Sequence, residues 1–232
     1  MFSHIFHAVT PGEMAAHPPK KAAYMACHFS SGGPGLSNLP QSLPENSILL
    51  LDDSMPSHGH DPALCARQLQ DLAERYIPKA IVLDFQHPPG DSSRRMVDTL
   101  LQVLDCPVAV TESYAQAAGC PVFLAPTPVN MPLENYLAPW LKQGVFLEVA
   151  PQAQVITVTE QASICVPIPF EGISMLPLEE PQLFCHYDIV VSSSQAQFTL
   201  CRTGADIAAL AGRAYAMGVR EVIGLQQELH KL

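Results

Sequence analysis

The chain has 232 residues with 22 acidic and 12 basic side chains, a formal charge of −10 with histidines neutral. Apolar types make up 48% and charged types 15%, enough hydrophobic material for a large core and too little charge for a disordered chain. The acidic balance and the lack of clustered lysine and arginine argue against a nucleic-acid partner. No run approaches the roughly 18 to 20 uninterrupted apolar residues of a membrane helix. A small, uncharged or cationic polar ligand is the partner class that remains.

The first segment, Met1 to Pro19, is broken by histidines and prolines rather than built like a signal peptide, so a cytoplasmic location is expected. Short β-rich runs then alternate with helical patterns. The runs are Ala22 to Phe29, Ile48 to Leu51, Ala80 to Phe85, Pro107 to Val110, Pro121 to Leu124, Gly144 to Val149, Ile164 to Ile168 and Glu221 to Leu225. Most are continuous apolar stretches, as expected of strands covered on both faces. Their spacing predicts repeated βα units closing into an α/β (β/α)8 TIM-type barrel, with one domain over 1–232.

Between the runs, Asp61 and Pro62 provide an N-cap and first-turn proline, and Leu69, Leu72, Ala73 and Tyr76 share one helix face. Val97, Leu100, Leu101 and Leu104 repeat that spacing after the polar start at Asp91 to Ser93. A last helix opens at Thr203 with Asp206 in capping-box spacing and stops at Gly218. Val155 to Thr159 and Phe198 to Cys201 predict an extra hairpin or small accessory sheet, which also takes in His186-Tyr-Asp188.

In such a barrel the chemistry belongs at the carboxyl ends of the strands. The runs end near His28; at Asp52, Asp53 and Ser54; at Asp84, Gln86 and His87; at Glu112 and Ser113; and at Glu148. Converging carboxylates separate their pKa values into a proton donor and an acceptor. Asp84 and Glu112 form the expected catalytic pair, because each closes an apolar run with nothing else obvious to cap. His28, Asp52, Asp53, Gln86, His87, Glu148 and Gln226 are the expected ligand contacts. Helix capping and turn formation are the competing roles for any of these residues.

The segment Lys79-Ala-Ile-Val-Leu-Asp-Phe-Gln86 resembles a worn D-G-x-D-x-D-x-E signature of glycoside hydrolase family 18. Val166-Pro-Ile-Pro-Phe-Glu-Gly172 is similar to that family's strand-seven G-V-P-x-Y-G pattern, and Phe198 to Gln226 resembles its closing helix and last strand. The resemblance implies a chitinase-like barrel in which Gln86 replaces the catalytic glutamate, while Lys79 and Val82 replace two earlier aspartates. The family's last-strand tryptophan is missing, the one tryptophan being Trp140 in a predicted helix or loop. A carbohydrate-binding barrel without the ancestral activity is the expected function. A hydrolase, glycosidic or metal-dependent, with relocated strand-end carboxylates is the alternative, and a structural role in an assembly also stays open.

No metal and no cofactor are expected. His58 and His60 are spaced to bind a divalent metal with Asp53 or Asp61, but a solvated loop ending in the Asp61 cap is the preferred reading. Seven cysteines, odd in number and with no Cys-x-x-Cys pair, read as buried thiols. Cys27 and His28, as strand neighbours, point to opposite faces. Ser31-Gly-Gly-Pro-Gly35 lacks the residues of a phosphate-binding loop and reads as a flexible first loop.

Overall fold

The computed structural model describes residues 2–170, 173 and 176–230. In chain order it opens with β1 (Phe6–Val9), α1 (Pro11–Ala16), β2 (Ala22–Phe29), β3 (Leu36–Ser37) and β4 (Ile48–Asp52). Strands and helices then alternate as α2 (Pro62–Tyr76), β5 (Ala80–Asp84), α3 (Asp91–Val103), β6 (Val108–Thr111), α4 (Glu112–Ala118), β7 (Val122–Leu124), α5 (Leu133–Leu137) and β8 (Val145–Val149). Five strands follow: β9 (Gln152–Thr159), β10 (Ser163–Pro167), β11 (Leu178–Glu180), β12 (Cys185–Val191) and β13 (Gln195–Arg202). The chain closes with α6 (Gly204–Ala216), β14 (Glu221–Leu225) and α7 (Gln226–Leu229).

The parallel strands run in the order β1-β2-β4-β5-β6-β7-β8-β14, and β14 pairs with β1, which closes an eight-stranded barrel. One expected barrel strand is corrected. Ile164 to Ile168 does not enter the barrel; its residues belong mainly to β10, an antiparallel edge strand exposed along its whole length. The missing barrel strand is β1, which sequence reading passed over because it is short and carries His7 between apolar residues. The expected hairpin is larger than foreseen: β9 to β13 form a five-stranded antiparallel sheet, β10-β9-β13-β12-β11, inserted between β8 and α6.

The helices begin where the caps predict. Asp61 accepts from the Ala63 amide at 2.9 Å, and the Thr203 amide and hydroxyl both donate to Asp206 at 2.7 Å. Gly218, at φ +95°, takes the left-handed conformation that ends α6.

Two apolar layers follow from the pleat of the strands. Outward residues such as Leu49, Leu51, Ile81, Leu83, Val110 and Leu147 pack beneath the helices, together with Trp140. Inward residues fill the barrel: Phe6, Phe123 and Phe146 interleave with Ala8, Ala23, Ala80 and Ala109 around Ile48, Leu50, Val82 and Ile223. Large beside small side chains leave the lower barrel solid. Its floor is sealed by the ion pair of Lys79 with the buried Glu221.

A buried arginine fastens the accessory sheet to the barrel. Arg202 donates to the carbonyls of Thr127, Leu183 and Phe184 and to Gln152 Oε1, and burial lowers its pKa to about 10. The cysteines are free; Cys27, Cys65, Cys185 and Cys201 are buried as expected, but Cys106 and Cys120 are half-buried and Cys165 is exposed. Among the described residues no helix is long and apolar enough to cross a membrane.

Candidate functional site at the barrel mouth

Two residues beyond the inward-facing Leu50, Val82, Phe146 and Ile223, the same pleat places Asp52, Asp84, Glu148 and Leu225 at the carboxyl mouth. These four line a cavity of about 160 Å³ with Ala8, Met25, Phe123 and Gly224. Asp52 and Asp84 are direct register partners on neighbouring strands, and Glu148 approaches from β8.

Like charges in a partly dry cavity favour the protonated acid. Burial raises the Asp84 pKa, and Asp52 and Asp53 raise it further, while the Gln86 side-chain amide opposes them by donating to Asp84 Oδ1. Burial raises Glu148 most, to about 7, with Asp84 and Glu228 adding to the effect. Near neutral pH the Glu148 carboxyl therefore exchanges between its protonated and ionised forms.

A larger cavity of about 590 Å³ opens above the first and shares Ala8, Met25 and Leu225 with it. Gln226, Gln227 and Glu228 of α7 line it together with Glu13, Pro151 and Phe170. Glu13 is held by the amide and hydroxyl of Thr10 at 2.8 and 2.9 Å.

Other expected site residues stand elsewhere. Asp53 is buried and accepts from the amides of Gln86 and His87 at 2.8 and 3.1 Å, with His87 Nδ1 also at 3.1 Å; it holds the loop after β5 in place. The His87 ring is exposed. His28 is the register partner of Asp52, but its ring nitrogens meet the Phe29 carbonyl and the Asn38 amide at 2.8 and 3.0 Å. Glu112 is exposed as the first residue of α4 and lines neither cavity. It acts with Glu148 on the Tyr136 phenol, whose pKa burial already raises and which reaches about 12. The carboxylate brought to Asp84's cavity is Glu148.

The family-like motifs divide between barrel and accessory sheet. Val82 lies in the packed interior and Lys79 at the opposite end of the barrel. Val166 and Pro167 lie in β10, while Glu171 and Gly172 fall outside the described residues. The Phe198 to Gln226 tail contributes most of β13, then α6 and β14, and His186 pairs with Asp206 at 3.2 Å.

In the histidine loop His58 is exposed, and His60 Nε2 sits 2.8 Å from the Ser30 carbonyl with its ring against Phe29. Among the described residues no three His, Cys, Asp or Glu side chains are grouped to hold a metal ion. Cys27 is buried and burial pushes its thiol up, away from nucleophilic reactivity.

Sequence reading missed Met25, Glu13, Glu228 and Phe170 as lining residues. Alternation from Ala23 signals Met25. Nothing local signals the other three, which arrive from loops and short helices.

No family model matches the sequence, and no curated protein matches it. Solved structures do match in fold. The spore cortex-lytic enzyme SleL of Bacillus megaterium QM B1551 superposes with a TM-score of 0.53 at 7% identity, covering 95% of this chain and 70% of that one. SleL of Bacillus cereus gives 0.53 at 10% identity, covering 97% and 71%. A chitinase from Chromobacterium violaceum ATCC 12472 gives 0.52 at 8%, covering 95% and 93%. The likeness is one of fold. The closed eight-stranded barrel is of the TIM type.

Proposed function

We propose that the barrel mouth binds a carbohydrate, or a polar uncharged ligand like one, without chitinase-type catalysis. The observation that carries this reading is the convergence of Asp52, Asp84 and Glu148 on one cavity. Such a set offers several hydrogen-bonding oxygens to sugar hydroxyls. The fold shared with a spore cortex-lytic enzyme and a chitinase supports a glycan as the ligand class. At the position that the family resemblance assigns to the catalytic acid stands Gln86, whose amide donates to Asp84. An amide supplies no proton to a leaving oxygen, and loss of a general acid forfeits about 10²- to 10⁴-fold in rate.

One observation favours a second reading, a hydrolase rebuilt on Glu148 as acid and Asp84 as its partner. Glu148 titrates at about 7, where a proton donor is effective at neutral pH. In that reading Glu148 takes the place first given to Glu112.

Thermal shift and product analysis with N-acetylglucosamine oligomers and peptidoglycan fragments separate the two. The binding reading expects stabilisation of the parent, its loss in Asp84→Asn, and hydrolysis only in Gln86→Glu. Turnover by the parent that disappears in Glu148→Gln establishes the hydrolase instead. No stabilisation and no turnover with any glycan refutes both.

A further inference from the structure

We propose that one face of the accessory sheet is a dimerisation surface, and that its occupant is the same face of a second copy of this chain. The inference is independent of what the barrel mouth binds.

Single exposed apolar side chains are ordinary, whereas a contiguous group of them marks a contact surface. Of the eleven large hydrophobic side chains that are exposed among the described residues, seven lie in β9 to β13. Strand register sorts the sheet into two unlike faces. Ile189, Phe198 and Ile156 are neighbours across β12, β13 and β9, and so are Val191, Ala196 and Val158. Side chains alternate along a strand, so these two rows share one face. The rows between them put Asp188, Thr199, Gln197 and Thr157 on the other. The apolar face is used within the chain only at its barrel end, where Cys185 and Leu200 pack with Val129. Away from the barrel it stays open, with Ile189 37%, Val158 39% and Val191 73% exposed.

The open part is complementary to itself in shape. It holds a hollow of about 370 Å³ whose lining includes Ile156, Tyr187, Ile189 and Phe198. Val191 stands on the same face but outside that lining, beside the hollow rather than in it. Under two-fold symmetry the same patch meets itself, and Val191 of each copy enters the hollow of the other.

Charge points to the same occupant. Two copies at −10 repel each other over most of their surfaces. Glu180 is the one charged side chain among the described residues lining the hollow, so here two copies meet with few like charges opposed. The face also offers no pattern of charge by which a foreign partner would be selected. Its open part spans five strands about 4.8 Å apart and about five residues of about 3.3 Å each, a planar footprint of roughly 400 Å² per copy. Side chains standing from the sheet raise the accessible area above that, so the pair comes close to the roughly 1,000 Å² at which specific interfaces begin. That is the size of a dimer in exchange with its monomer.

The test is sedimentation velocity of the full chain, with a reductant present because Cys165 is exposed. The parent is expected to pass from monomer to dimer with a Kd on the order of 10 µM, and to dimerise more tightly as salt screens the repulsion between copies. Val191→Lys weakens the dimer at least about tenfold by placing an unpaired charge in the contact. Val190→Lys makes the same change one residue away on the other face, at a side chain 60% exposed, and leaves the Kd as in the parent. Cooperative thermal unfolding at the parent's temperature verifies both folds, and Ile189→Lys is a second variant on the apolar face. A parent that stays monomeric throughout overturns the inference, as does a dimer that survives both Val191→Lys and Ile189→Lys. Equal weakening by Val190→Lys and Val191→Lys overturns it too, by showing that apolar exposure in general drives the association. A monomeric parent that binds an apolar fluorescent dye, with that binding lost in Val191→Lys, assigns the face to another occupant and likewise overturns it.

Discussion

Replacing Glu148 by glutamine tests the electrostatics of the mouth through stability alone. The folded protein raises this carboxyl from the ordinary 4.5 to about 7, chiefly by burial. Between those pH values the folded state keeps a proton that the unfolded chain releases, so stability falls as pH rises. The contribution is complete below about 4.5 and gone above about 7. At about 1.4 kcal/mol per pH unit, the interval amounts to about 3 kcal/mol. Glutamine keeps the size and much of the hydrogen bonding without ever ionising. Glu148→Gln is therefore expected to gain on the parent as pH rises from 5 to 8. For a chain of this length that gain is roughly 6 to 12 °C in melting temperature, at about 2 to 4 °C per kcal/mol. The measurement is thermal denaturation of both proteins at pH 5, 6, 7 and 8, compared as a difference so that other titrating groups cancel. Parallel curves, with a constant offset across that range, would refute the buried, proton-holding Glu148.

Two further perturbations probe what holds the site in place. Arg202→Met leaves the carbonyls of Thr127, Leu183 and Phe184 without their donor, and urea unfolding is expected to show a loss of about 3 kcal/mol or more; unchanged stability would remove Arg202 as the fastener of the accessory sheet. Asp53→Ala releases the amides of Gln86 and His87, with an expected cost of about 2 kcal/mol and weaker glycan binding at the mouth, because Gln86 no longer stands against Asp84. Glycan affinity equal to the parent's would show that the loop after β5 takes no part.

Much of the barrel is legible in the residues. Seven of its eight strands are apolar runs bounded by turn or cap signals, and α2, α3 and α6 announce themselves through Asp61, the polar start at Asp91 and the Thr203–Asp206 pair. The two strand errors share one cause. A short run rich in β-branched and apolar residues has the same local pattern whether it is buried between layers or lies on an edge. Ile164 to Ile168 has that pattern in an exposed edge strand, while Phe6–Val9, with a histidine in the middle, is buried by barrel closure. Parity within each strand carried more information than strand ends alone. Asp52, Asp84 and Glu148 each lie two residues beyond an inward-facing apolar residue, whereas Glu112 follows the end of β6 and begins a helix.

The amino-acid sequence by itself determined the period of the βα units, the helix caps, the acidic character of the strand ends and the glutamine at position 86, because each is set by neighbours a few residues away. Tertiary structure alone decided which carboxylates meet, since closing β14 onto β1 turns one face of every strand inward and brings carboxylates 32 to 96 positions apart into one cavity. It also decided their proton affinities. The pKa of Glu148 depends on how much water and how much neighbouring charge the closed mouth leaves around it, and both are set by elements distant along the chain.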